Sequence, residues 1–129
     1  MKMSEEQYRA LLGKSLDYKV SKYKNKKIEV DGIKFDSKKE ALRYQELKLL
    51  ERAGLIKDLQ LQKPFELQPA FRKNGTSYRA ITYKADFVYL DLRTNKIVVE
   101  DTKGMRTEAY KIKRKLFEYT HPDLEIKEI

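Results

Sequence analysis

The sequence has no cysteine, and its 129 residues include a single histidine, His121. The lack of cysteine excludes disulfide bonds, thiolate zinc sites and cysteine nucleophiles. One histidine argues against a histidine-rich metal site and against a Ser-His-Asp triad. No apolar run approaches the roughly 20 residues that span a bilayer, and the N-terminus lacks the apolar stretch of a signal peptide. We therefore expect a cytoplasmic protein with no membrane partner.

Acidic residues are the minority charge, with 20 Asp and Glu against 29 Lys and Arg, which gives a formal net charge of +9. Such an excess favours a polyanionic partner, and nucleic acid is the usual one. Charge alone is a weak signal, because ribosomal and merely soluble proteins share it. The basic residues are concentrated in two segments, 22–27 and 111–115.

The length fits one domain preceded by a basic arm. Residues 1–27 are polar and basic, and a capping box at Ser4 predicts a short helix over about residues 5–13. The remainder of the arm is expected to be flexible. We expect four lysines of the arm to contact DNA: Lys22, Lys24, Lys26 and Lys27.

The pattern from residue 28 onward predicts an α/β domain with a mixed β-sheet flanked by helices. Turn signals at Asp31-Gly32 and Asn74-Gly75 predict two hairpins. Helices are predicted from Ser37 to about Ala53 and from Thr107 to near Thr120. Extended segments are predicted at 57–72, 78–90, 96–103 and 124–127.

Two of these strands carry charged residues among apolar neighbours. If Asp91 pairs with Lys96, then Asp86 falls opposite Asp101, and both carboxylates point to one side of the sheet. Lys103 lies two residues further along the same face. This register requires a two- or four-residue loop, since a three-residue loop would shift the pairing by one.

Facing carboxylates repel each other unless something compensates their charge. A Mg²⁺ ion would do so, with Mn²⁺ as its substitute, because Mg²⁺ favours carboxylate oxygens plus water. A metal held there activates water and stabilises charge on a phosphate, and Lys103 is placed to assist. The alternative is that Asp86 forms a salt bridge with Lys103 or Lys84 on a solvated face.

The order of these residues resembles the signature of PD-(D/E)XK nucleases, and in particular a small phage-encoded family of unknown function. The matching segments are 22–27, 32–40, 85–89 and 99–104. Ala85 stands where the signature has proline, and Asp101 stands where glutamate is commoner. The resemblance implies a restriction-endonuclease-like core over residues 28–129. Members of the phage-encoded family look similar to recombination endonucleases, including Holliday-junction resolvases. Many such enzymes act as homodimers.

The resemblance also implies a third acidic residue on the first helix, at Glu40, as a catalytic and metal-binding group beside Asp86 and Asp101. The alternative is that Glu40 only closes a capping box with Ser37. For Glu100, which should point away from Asp101, we expect a lysine or arginine partner. Gln62 either reaches the site from a neighbouring strand or is an ordinary polar residue of the sheet.

The second basic segment follows the candidate site on a helix whose N-terminus favours phosphate. We expect Thr107, Lys111 and Arg114 to contact the DNA backbone, the alternative being an ordinary solvated face. Together these features predict a metal-dependent endodeoxyribonuclease that hydrolyses phosphodiester bonds of duplex or branched DNA. It would serve phage recombination or repair in the host cytoplasm. The rival hypothesis from another class is a non-catalytic DNA-binding protein that retains the nuclease fold. A third hypothesis, an RNA-binding accessory protein, is supported by the net charge only.

Overall fold

The computed structural model describes residues 19–20, 27–102 and 106–129, which form nine strands and two helices. The expected α/β class is therefore confirmed. The strands are β1 (Lys19–Val20), β2 (Ile28–Val30), β3 (Ile33–Phe35), β4 (Ile56–Gln68), β5 (Phe71–Lys73), β6 (Thr76–Tyr78), β7 (Ile81–Asp91), β8 (Lys96–Asp101) and β9 (Ile126–Glu128). The helices are α1 (Lys38–Arg52) and α2 (Glu108–Thr120). The short helix expected at 5–13 lies outside the described residues.

The chain divides into two compact units. The first contains the residues up to Lys57 together with residues 91–94, and the second contains residues 58–90 and 95–129. In the first unit, β2 pairs with both β1 and β3 in antiparallel fashion. Asp31 and Gly32 join β2 to β3 with positive φ angles of 52° and 76°. Two consecutive left-handed residues are the mark of a type I′ turn, so the predicted hairpin is confirmed.

Helix α1 begins and ends where the sequence predicts. The Ser37 side chain accepts a hydrogen bond from the Glu40 N–H at 3.1 Å, which satisfies one of the free donors of the first turn. Gly54, with φ of 75°, follows the last turn in the left-handed conformation that glycine tolerates best. The helix buries Tyr44 against Phe35, with ring centroids 5.1 Å apart.

The second unit is built on a mixed sheet with strand order β4-β7-β8-β9. Residues 92–95 join β7 to β8, and a connection that short allows only an antiparallel pair. Strand β9 returns after α2 and pairs parallel to β8, with Asp101 aligned with Glu128. The strand predicted from residue 78 begins instead at Ile81, because Tyr78 pairs with Phe71 in a separate hairpin.

The core of this unit lies between the sheet and α2, and it contains several aromatic rings in mutual contact. The Phe117 ring of α2 lies 5.5 Å from that of Tyr83 and 5.1 Å from that of Phe65. The buried members of the core are Leu67, Tyr83, Ala85, Val88, Val99, Tyr110, Phe117 and Ile126. Among the described residues, neither helix is long and apolar enough to cross a membrane.

Candidate active site

Asp86 is half-buried on β7, and its carboxylate is held from two sides. The backbone N–H and the hydroxyl of Thr102 both donate to Oδ2, at 2.9 and 2.8 Å. The amide of Gln62 donates to Oδ1 at 3.0 Å. The three donors come from β4 and from the residue that follows β8, so the Asp86 side chain is fixed by the strands on either side of its own.

Gln62 reaches Asp86 from an unusual backbone conformation. It lies within β4 at a φ of 51°, and Asp58 in the same strand has a φ of 58°. A side chain other than glycine rarely adopts this left-handed region, and strain of this kind costs on the order of 1–3 kcal/mol. Local irregularities in a strand re-aim side chains, and they are frequent beside active sites. The structure thus brings Gln62 to the candidate site, and Gln62 is not merely a polar residue of the sheet surface.

Asp101, the last residue of β8, is fully buried at 0% exposure. Its Oδ2 accepts a hydrogen bond of 2.6 Å from the Tyr83 hydroxyl. Burial raises the pKa of Tyr83 well above its usual range, and the hydrogen bond to Asp101 raises it further. Tyr83 therefore stays protonated and donates to the carboxylate throughout the neutral range.

The two carboxylates have different hydrogen-bonding partners but share an electrostatic environment. Burial is the main cause of the raised pKa of the Tyr110 hydroxyl, and the charges of Asp101 and Asp86 add to it. Both charges also add to the raised pKa of Tyr83. Asp86 and Asp101 are therefore close enough to the same two tyrosines to act on both. Tyr83 and Thr102 were not singled out from the sequence, although Thr102 is the middle residue of the Asp-x-Lys motif.

Glu100 adds a second fully buried carboxylate next to Asp101, also at 0% exposure. Its Oε2 accepts a short hydrogen bond from the Tyr89 hydroxyl. Tyr89 is thus one partner of the Glu100 carboxylate.

The remaining expected catalytic residues are Glu40 and Lys103. Glu40 is buried in the first turn of α1, in the first compact unit, where its backbone N–H is bound by the Ser37 cap. Asp86 and Asp101 belong to the second unit. Lys103 follows Thr102 directly in the chain and lies outside the described residues, as do Lys22, Lys24 and Lys26. Lys27 is described and is exposed.

The three residues in and next to α2 that were expected to bind phosphate already have partners within the protein. Thr107 caps the helix by accepting from the Tyr110 N–H at 3.1 Å. Lys111 forms an exposed salt bridge with Glu108 at 3.2 Å. Arg114 forms a salt bridge with Glu128 of β9.

Glu128 also binds Arg106, with Nε and Oε2 2.8 Å apart, so that one carboxylate pairs with two arginines. These arginines line a basic recess along α2, to which the sequence had assigned Lys111 and Arg114 but not Arg106. It is lined by Arg106, Tyr110, Lys111, Arg114, Lys115 and Glu118.

In the described part of the chain, no group of three or more acidic, histidine or cysteine side chains is arranged to hold a metal ion. Mg²⁺ in phosphoryl-transfer sites is nevertheless usually bound by one or two carboxylates, together with waters and substrate phosphates. The donor set of Asp86 and Asp101 fits that requirement. A third acidic ligand is not needed for it.

The model of one protein family matches residues 20–129, and its description is a protein of unknown function, DUF1064. The match covers both candidate carboxylates and both helices. No curated protein and no solved structure matches the chain.

Proposed function

The chain belongs to the DUF1064 family, and we propose that it is a Mg²⁺-dependent endodeoxyribonuclease of the PD-(D/E)XK type. The observation that carries the proposal is the pair of Asp86 and Asp101 on adjacent strands of one sheet. Both charges act on the Tyr83 and Tyr110 hydroxyls, and the sequence continues directly into Lys103. In this proposal the mixed sheet with α2 is the restriction-endonuclease-like core.

Each described residue would have a distinct part in the reaction. Asp86 and Asp101 would hold the metal, which supplies positive charge to the scissile phosphate and acidifies a bound water. Thr102 and Gln62 keep the Asp86 carboxylate in one orientation. Tyr83 does the same for Asp101. Lys103 would orient the attacking water or neutralise charge that develops on the phosphate.

The rival function is DNA binding without catalysis, and one observation favours it. Both oxygens of Asp86 accept hydrogen bonds from protein groups, and Asp101 is buried against Tyr83. A metal would have to compete with these donors. Under either function the ligand would be DNA. The protein would act in the cytoplasm, which is the host cytoplasm if a phage encodes the protein.

The direct test is cleavage of supercoiled plasmid and of a synthetic four-way junction, in Mg²⁺ and in chelator. We expect wild-type protein to cut at least one of these DNAs only in Mg²⁺. Asp86→Asn and Asp101→Asn should each lose most cleavage, on the order of 10²-fold or more. Circular dichroism of each variant serves as the control for folding.

Two results would reject the nuclease. One is wild-type protein that cuts neither DNA in Mg²⁺ or Mn²⁺. The other is a folded Asp101→Asn variant that cuts at the wild-type rate, which would show that the activity resides elsewhere.

A further inference from the structure

The hairpin formed by β5 and β6 stands out because it takes no part in either core. Every residue from 68 to 80 is exposed. The turn residues Asn74 and Gly75 have φ angles of 51° and 80°, which is the type I′ geometry that matches the strand twist. An isolated two-stranded hairpin is at best marginally stable in water. This hairpin is therefore a projection whose side chains are available to a ligand.

A pair of exposed aromatic rings lies across this hairpin. Phe71 and Tyr78 are direct partners in the ladder, and their rings are stacked with centroids 4.6 Å apart and planes 12° apart. They remain 41% and 46% exposed, in contrast to Phe65, which packs on Phe117 of the core. Cross-strand stacking stabilises the hairpin itself, but a large part of both side chains remains open to water.

The charge of the same segment is uniformly positive. Between Glu66 and Asp86 there is no acidic residue, whereas the hairpin and its exit carry Arg72, Lys73 and Arg79. None of these three forms a salt bridge with any part of the chain that the structure describes. Because alternate residues of a strand share a face, Lys73 lies on the same side of the hairpin as the Phe71 ring.

We propose that this hairpin binds unpaired nucleobases of the DNA substrate, which stack on the Phe71–Tyr78 pair while the three cations contact the flanking phosphates. The inference rests on the proposed function for the identity of the ligand as DNA. Stacking on aromatic side chains combined with a positive backbone track is how proteins hold single-stranded nucleic acid. Bases within a duplex are already stacked on each other and offer no free face. The hairpin therefore selects DNA with melted, bulged or branched segments.

The other occupants of such a surface fit less well. A second copy of this chain would bring three more cations against the same patch, and like charges repel. An apolar peptide would leave Arg72, Lys73 and Arg79 without a counter-charge. The distance to the candidate site is no obstacle for DNA, because the eight residue-to-residue steps from Tyr78 to Asp86 span at most roughly 29 Å. That is less than one helical turn of DNA, about 34 Å.

The test compares binding to a labelled duplex and to the same duplex with a central mismatched bubble, which has the same number of phosphates. Fluorescence anisotropy is measured in Ca²⁺. Wild-type protein should prefer the bubble. Phe71→Leu and Tyr78→Leu should each weaken bubble binding about tenfold, in line with the usual contribution of one stacked base, and leave duplex binding unchanged. Tyr78→Trp, which keeps a ring, should retain the preference.

The matched control is Tyr119→Leu, which removes an aromatic ring of α2 that is 84% exposed. It should bind both DNAs like wild type. A second readout places 5-iododeoxyuridine in the bubble and maps the photo-crosslink by mass spectrometry, with adducts expected on Phe71 or Tyr78.

Four results would overturn the proposal: no preference of wild type for the bubble, equal losses on duplex and bubble, adducts confined to other residues, or a changed oligomeric mass in the leucine variants with the DNA preference intact. The outcome is separable from that of the nuclease proposal. A protein that prefers the bubble through these rings but cuts no DNA refutes only the nuclease. A protein that cuts plasmid but shows no preference for the bubble refutes only the proposed role of the hairpin.

Discussion

Gln62 combines a conformational cost with a specific contact, since its φ of 51° is unfavourable and its amide binds Asp86 at 3.0 Å. A residue in this position is expected to be retained for what its side chain does, because glycine would fit the backbone better. The two effects can be separated by choosing the replacement. Glycine removes the side chain and the strain together, whereas alanine removes the side chain and keeps the strain.

We predict that Gln62→Gly is about 1 kcal/mol more stable than Gln62→Ala, which is the usual difference at a left-handed position. Both variants should cleave more slowly than wild type, because Asp86 loses a donor that orients it. Urea denaturation gives the stabilities, and single-turnover kinetics give the rates. Equal stability of the two variants would contradict the strained backbone, and wild-type rates would remove Gln62 from the site.

Lys103 separates the enzyme from the passive binder. In a nuclease its charge acts mainly in the transition state, so Lys103→Ala should bind DNA nearly as well as wild type yet cleave on the order of 10²-fold more slowly. In a passive binder it is one phosphate contact among many, and its loss costs little. Affinity in Ca²⁺ and single-turnover cleavage in Mg²⁺, measured on the same junction, give the two numbers. Parallel, modest losses in both would favour the binder.

The sequence indicated Asp86 and Asp101 as candidates because acidic residues inside apolar strands require a compensating partner. It could not supply Tyr83 or Thr102, since these lie 18 and 16 residues from the carboxylates they bind. Such contacts depend on the exact strand register. Nor does any pattern indicate a positive φ at Gln62, because glutamine has no preference for that conformation.

At the scale of elements, the basic face of α2 is restrained by strand β9. Glu128 holds both Arg106 and Arg114, and it aligns with Asp101 in the parallel pair of β8 and β9. If α2 contacts phosphates, these arginines must exchange Glu128 for DNA. Removing the glutamate charge would make that exchange unnecessary.

Glu128→Gln should therefore tighten DNA binding and steepen its salt dependence by roughly one to two units of slope, one for each arginine released. The stability cost should be about 1–3 kcal/mol, because the Glu128 side chain is only 16% exposed and its loss leaves two arginines without their partner. Glu125→Gln is the matched control, because it changes net charge equally at an exposed neighbouring position. Similar behaviour of the two variants would show that only net charge matters and that α2 is not the contact surface.

Helix ends and tight turns were the elements that the sequence predicted best. Ser37, Gly54, Thr107 and the Asp31-Gly32 turn all have the expected local roles, because caps and turns depend on adjacent residues. Strand limits were less well predicted. The segment expected to be one strand from residue 78 is split between β6 and β7, since β-pairing depends on partners distant in sequence.

For the whole molecule, metal binding and folding should be coupled. A ligand that binds only the folded protein stabilises it according to its affinity and concentration. Mg²⁺ should therefore raise the melting temperature of wild type more than that of Asp86→Asn. Scanning calorimetry with and without Mg²⁺ measures both shifts, and equal shifts would show that the ion does not bind at Asp86.

Stability should also fall in alkali, because three tyrosines keep their protons longer in the folded protein. Burial raises the pKa of Tyr44 from 10.0 to about 12, and it raises the pKa of Tyr83 and Tyr110 as well. Above pH 10 the unfolded chain loses these protons while the folded chain retains them. The free energy of unfolding therefore falls with rising pH, by at most about 1.4 kcal/mol per pH unit for each tyrosine.

We predict that this alkaline loss is shallower in Tyr83→Phe than in wild type, although the variant is less stable at neutral pH. The neutral cost should be about 1–3 kcal/mol, because buried Asp101 loses a donor. Urea unfolding from pH 8 upward gives the slopes. Tyr119→Phe, at an 84% exposed position, is the control and should follow wild type. Parallel slopes for Tyr83→Phe and wild type would contradict the raised pKa of Tyr83.

Strand β4 has 13 residues and lies at one edge of the described four-stranded sheet. A long, regular edge invites intermolecular strand pairing and aggregation. Here the left-handed residues Asp58 and Gln62 break the regular spacing of the edge, and Pro64 removes one backbone donor. The left-handed backbone that aims Gln62 at Asp86 thus also makes β4 a poor template for another chain. If the protein forms a homodimer, continuation of the sheet across β4 is the least suitable way to build it.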